Sequence, residues 1–67
     1  MRMNFGETIK ELRSERGISQ ATLAKQIGVS QSAVNSWERE INEPKASYIV
    51  LLADYFGVTC DFLLGKE

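Results

Sequence analysis

The sequence predicts an all-α domain of five short helices, and three observations carry that expectation. Apolar residues recur at helical rather than alternating spacing along the whole chain. Small polar side chains suited to capping (Asn4, Ser19, Ser30, Thr59) stand at the head of four of the apolar runs. Glycines at 17, 28, 57 and 65 close them. No repeat, low-complexity tract or linker divides the 67 residues, so residues 1–67 are expected to form one domain.

Taken in order, Asn4 with Glu7 three residues later forms a capping box, and Phe5, Ile9 and Leu12 then mark the inner face of a first helix that Gly17 ends. Ser19 caps a second helix with Leu23, Ala24 and Ile27 on one face. Gly28 supplies the positive φ that a sharp reversal demands. Ser30 caps a third helix, in which Val34 and Trp37 share a side at i, i+3. The stretch REINEP has no apolar period, and Pro44 holds its predecessor extended, so a loop is expected there. Ile49, Leu52, Ala53 and Phe56 define a fourth helix. Thr59 caps a fifth, carrying Phe62 and Leu63. The run YIVLL could pass for a buried strand, but its continuation through ADYF at i, i+3, i+4, i+7 favours helix.

Composition narrows the chemistry. Cys60 is the only cysteine, which rules out an internal disulfide and suits a reducing cytosol. Histidine is absent, so zinc sites of the common kinds, Ser/His or Cys/His nucleophiles and histidine proton shuttles are excluded; no metal and no cofactor is expected. An enzyme would rest on carboxylates alone, and Glu7 and Glu11 at i, i+4 are equally ordinary solvated acids. The longest apolar run, Tyr48 to Ala53, is far short of the roughly 20 residues of a membrane span. The start of the chain does not resemble a signal peptide, so a cytoplasmic protein is expected. Eight Lys and Arg against nine Asp and Glu give a net charge of −1, mildly unfavourable for nucleic acid. Placement softens this: Lys25, Arg39 and Lys45 lie in or beside residues 20–39, whereas Asp54 and Asp61 lie in the C-terminal third. Glu40 and Glu43 count the other way.

Residues 20–39, QATLAKQIGVSQSAVNSWER, therefore read as two helices joined by a tight turn and sharing one core. The outer side of the second carries Gln31, Ser32, Asn35 and Ser36. A major groove admits one helix, whose amino-terminal side chains reach deepest. Gln31 and Asn35 offer a donor and an acceptor together, matching the N6 and N7 edge of adenine, and Ser32 and Ser36 serve either role. The plainer alternative is a solvated polar face. Unbonded N–H groups where the second helix begins, near Gln20, suit a phosphate, and the Ser19 and Ser30 hydroxyls can add to such contacts. Trp37 could stack on a base, but its relation to Val34 places it in the core. Tyr48, Leu51 and Tyr55 form a second apolar stripe on the fourth helix, a candidate surface for a homodimer.

The segments LRSERGISQATLAKQIGVSQSAVNSWE, Pro44, LADYFGV and DFLLG together resemble the phage Cro and repressor type of helix-turn-helix regulators, over nearly the whole chain. The resemblance implies a compact lambda-repressor-like five-helix fold. It also implies a transcriptional regulator without enzymatic activity, expected to be a repressor, whose third helix reads the major groove of double-stranded DNA. On it, Gln20 binds backbone phosphate and braces Gln31, Arg13 and Glu38 form a structural ion pair, and Arg39, Asn42 and Lys45 run beside the DNA strand. For each of the last three an ordinary solvated side chain is the equal alternative. A two-fold dimer would set reading helices roughly 34 Å apart on a palindromic operator. The competing function is a protein-interaction module on the same fold, antitoxin-like or anti-regulator, which the slight net acidity favours. No small-molecule site is evident. An end soon after Gly65 fits either a complete minimal regulator or the DNA-binding part of a longer protein. Two departures from the family stand out: Glu40 replaces a common glycine and Lys45 a common capping serine. The loop between them is expected to run differently.

Overall fold

In the computed structural model, which describes residues 4–66, five helices follow one another. They are α1 (Phe5–Glu15), α2 (Gln20–Ile27), α3 (Gln31–Glu38), α4 (Ala46–Phe56) and α5 (Cys60–Leu63). The outermost residues of the expected 1–67 domain, 1–3 and 67, lie outside the described residues.

Local chemistry sets most of the boundaries. The side chains of Asn4, Ser19, Ser30 and Thr59 accept from the N–H groups of Glu7, Thr22, Ala33 and Phe62, so four helices begin with an otherwise orphaned donor satisfied. Of the capping box at Asn4 only the first half forms. Gly28 and Gly57 take left-handed φ values of 88° and 68°, which release the chain from α2 and α4 at once.

Lys45, at the head of α4, makes no side-chain cap bond. The other departure, Glu40, lies in the turn that follows α3. That residue adopts φ 59°, the one positive value among the described non-glycine residues, and so takes the backbone conformation a glycine adopts freely.

The core joins all five helices: Ile9 from α1, Leu23, Ala24 and Ile27 from α2, Val34 and Trp37 from α3, Leu52, Ala53 and Phe56 from α4, and Leu63 from α5. α3 packs against both α1 and α2, α2 also touches α4, and α5 closes on α1 and α4. Trp37 is buried, with its ring 5.9 Å from Tyr48. With its inner side fixed by Val34 and Trp37, α3 turns its amino-terminal polar side chains outward. Among the described residues no helix is long and apolar enough to cross a membrane.

Candidate nucleic-acid interface

A charged anchor beneath α3 organises the face above it. The Arg13 guanidinium donates through Nε to Glu38 Oε2 at 2.7 Å and through Nη2 to Glu38 Oε1 at 3.1 Å, a two-pronged match that a lysine could not make. Its third donor, Nη1, reaches the Ile18 carbonyl at 2.9 Å and ties the α1–α2 turn to the same point. The side chains are only 16% and 5% exposed. The hydrogen bond to Glu38 holds the Arg13 pKa above its ordinary value against the opposing pull of burial, so the cation persists throughout the accessible pH range.

Gln20, the first residue of α2, joins this anchor. Its Nε2 donates to Glu38 Oε1 at 3.1 Å and, over a longer 3.4 Å, to Asn35 Oδ1. The resemblance leads one to expect that Gln20 braces Gln31; here its amide hydrogens are directed to Glu38 and Asn35 instead. Gln20, Gln31, Ser32 and Asn35 line one shallow, open concavity. Gln31 and Ser32 are exposed; Asn35 and Ser36 are half-buried.

The remaining sequence-predicted residues surround this face. Ser30 is exposed at the head of α3, its oxygen occupied by the Ala33 N–H. Ser19 both accepts from the Thr22 N–H and donates to Thr22 Oγ1, each at 3.0 Å, so its hydroxyl is engaged within the protein. Between Ser19 and Thr22, the Gln20 and Ala21 N–H groups of the first turn point along the α2 axis without helical partners. Arg39 caps the C-terminus of α3, its backbone N–H donating to the Asn35 carbonyl, and Asn42 and Lys45 are exposed in the following loop; among the described residues no side-chain hydrogen bond links these three to the concavity.

The fourth-helix stripe is not a single exposed surface. Tyr48 is half-buried on Trp37, and Tyr55 lies against Phe56 at 5.1 Å with the Arg16 guanidinium 5.0 Å above its ring. Of the three expected residues Leu51 is the open one, and the more exposed Val50 beside it escaped the sequence reading because it falls between the two apolar periods of a nearly all-apolar helix.

Known proteins place the chain. The helix-turn-helix family profile matches residues 9–63. The HTH-type transcriptional regulator ImmR of Bacillus subtilis is 28% identical over 65 residues, 97% of this chain and 51% of its own length. Repressor protein C2 of Salmonella phage P22 is 37% identical over 63 residues, 94% of this chain and 29% of its own length. The chain thus spans half of the one relative and under a third of the other. The crystal structure of the P22 c2 repressor protein in complex with synthetic operator 9T superimposes with a TM-score of 0.91 at 34% identity, over 97% of this chain and 98% of that one. Profile, sequence and fold agree: the chain belongs to the helix-turn-helix family of the Cro and repressor type, on the lambda-repressor-like five-helix fold.

Proposed function

We propose that the chain acts as a transcriptional repressor, whole or as the DNA-binding part of a longer protein, that places α3 in the major groove and binds a palindromic operator as a homodimer. One observation carries this reading: the polar side chains of Gln31 and Ser32 are exposed at the amino end of α3 and line an open concavity with half-buried Asn35, while Val34 and Trp37 lock the opposite side of the helix into the core. The likeness to a repressor structure described with its operator supports it.

In this arrangement Gln31, Ser32, Asn35 and Ser36 face base edges. Phosphates are held by the Gln20 and Ala21 N–H groups, with Ser19, Ser30, Arg39, Asn42 and Lys45 along the strand. Leu51 is the exposed centre of a dimer surface flanked by Tyr48 and Tyr55. The protein works in the cytoplasm, without a cofactor and without catalysis.

Charge makes the expectation quantitative. Arg13 is spent on Glu38, so among the described residues Arg39 and Lys45 are the main cations expected beside the interface. Two phosphate contacts per protomer give a slope of log affinity against log salt of roughly −2, about −4 for a dimer, which is shallow for a DNA-binding protein. The test is a salt titration against random duplexes, followed by selection of preferred duplexes from a random pool. Salt-independent or absent binding removes the proposal; paired half-sites one helical turn apart support the dimer. On the selected operator, Gln31→Ala is expected to cost about 1–3 kcal/mol while non-specific binding holds. Equal losses on every sequence would refute a base-reading role for Gln31.

A further inference from the structure

Asn35 carries an amide, and an amide free to rotate end over end reads adenine best, with one donor and one acceptor. In this protein it is not free. Glu38, ionised against Arg13, can only accept hydrogen bonds, so the Gln20 side chain must present its NH2 group to Glu38 Oε1, as it does at 3.1 Å. The second hydrogen of that NH2 then points to Asn35, 3.4 Å away, and only an oxygen can receive it. Asn35 Oδ1 is therefore turned inward. Its Nδ2 has no hydrogen-bond partner among the described residues, and its side chain lines the open concavity.

From this relay we infer that Asn35 is a donor-only specificity determinant, which selects guanine over adenine at the base it meets. Guanine presents two acceptors, O6 and N7, to the two outward hydrogens of Nδ2. Adenine presents N7 beside an N6 amino group, and cytosine presents an N4 amino group; each amino group opposes a donor. Flipping the Asn35 amide to suit adenine would set its NH2 against the Gln20 NH2, and flipping Gln20 as well would set an oxygen against the Glu38 carboxylate. Gln20 is thus the positioning residue and the Arg13–Glu38 pair fixes its polarity. The inference rests on α3 reading the major groove, as proposed above.

The test uses the protein on operators carrying each of the four base pairs at the position whose preference Asn35→Ala erases. Wild type is expected to favour guanine over adenine there by roughly tenfold, the worth of one directional hydrogen bond. Replacing that guanine with 7-deazaguanine, which removes N7, should weaken wild type and leave Asn35→Ala unchanged. Gln20→Met keeps the side-chain length and removes the relay; it should narrow the ratio to within about threefold by admitting adenine. A general loss of packing or phosphate contact would instead weaken all four operators together. Adenine preference in wild type, an unchanged ratio in Gln20→Met, or no position sensitive to Asn35→Ala overturns the inference while DNA binding stands. Failure of every duplex to bind with salt dependence removes the DNA reading itself. The 7-deazaguanine arm needs no Gln20 variant, so a Gln20→Met chain that fails to fold leaves a decisive measurement.

Discussion

Gly6→Ala sets helix propensity against packing, and the two predict opposite signs. Gly6 is in the first turn of α1, where alanine is the better helix former by at most about 1 kcal/mol. A Cβ built there, however, would stand 2.7 Å from both the Trp37 and Glu38 carbonyl oxygens and 2.8 Å from Glu40 Cγ. Ordinary contact begins at 3.4 Å. The Glu40 side chain can swing aside, but the two carbonyls belong to the last turn of α3, which Arg39 and Glu40 N–H groups tie to Asn35 and Trp37. Relief needs α1 and α3 to separate by about 0.5–1 Å, in the overpacking range of about 1–3 kcal/mol, and with two backbone atoms involved the upper half applies. After subtracting propensity the net cost is about 1–2 kcal/mol, or roughly 5–15 °C in Tm for a domain of this size. Thermal melts followed by circular dichroism, with urea midpoints, measure it. Ser14→Ala, on the exposed side of α1, is the propensity control and should be neutral or slightly stabilising. If Gly6→Ala melts as high as Ser14→Ala, the close approach of α1 to α3 is not real and the reasoning fails.

Three other substitutions probe the loop and the anchor. Glu40→Gly relieves the left-handed strain at φ 59° and should raise stability by about 0.5–1 kcal/mol, a Tm gain of a few degrees, while Glu40→Ala gives no gain; equal gains would point to charge instead. Lys45→Ser supplies the side-chain cap that α4 lacks, worth about 0.5–1 kcal/mol in urea unfolding, and Lys45→Ala should match wild type. Arg13→Met strands the Glu38 carboxylate, 5% exposed, and should cost about 3 kcal/mol; adding Glu38→Met should recover most of it, and a double variant as unstable as the single would show that packing around Arg13, not its charge, matters.

What could be read from the sequence was what short-range chemistry determines. A serine three residues ahead of a free N–H, or a glycine after the last apolar position of a helix, leaves its mark within one turn of chain, so caps at Ser19, Ser30 and Thr59 and the reversal at Gly28 were legible. Trp37 was placed in the core by its spacing to Val34 alone. Gly6 gave no such signal, because its need for a bare Cα comes from the carbonyls of residues distant in sequence. At Glu40 the sequence shows the residue that stands where a glycine is common but not the backbone it must adopt: φ is 59°, a conformation strained for a side chain and set by the assembled fold. The Tyr48, Leu51 and Tyr55 stripe shows the reverse error of scale. Its period was visible, but two of its three members are partly engaged by Trp37 and by Phe56 with Arg16, contacts that only the assembled fold creates.

The reading face shows most clearly why residue identity underdetermines recognition. Sequence places an amide at position 35 and assigns it both a donor and an acceptor, which is correct for an isolated side chain. The fold takes one of those away. Arg13 lies on a different helix, far along the chain, and makes no hydrogen bond to Asn35 among the described residues, yet in the inferred relay its pairing with Glu38 fixes the orientation of Gln20 and through it the atom that Asn35 offers to the outside. A half-buried polar side chain held by a neighbour that is itself bonded to a charge does not adapt to its ligand as a free one does, because any flip leaves like poles opposed. Gln31 and Ser32, exposed and with no hydrogen bond to this network, keep both roles. On the proposed reading, two kinds of reader share one helix, and the stability of the buried ion pair and the base preference inferred for the face above it depend on the same four side chains.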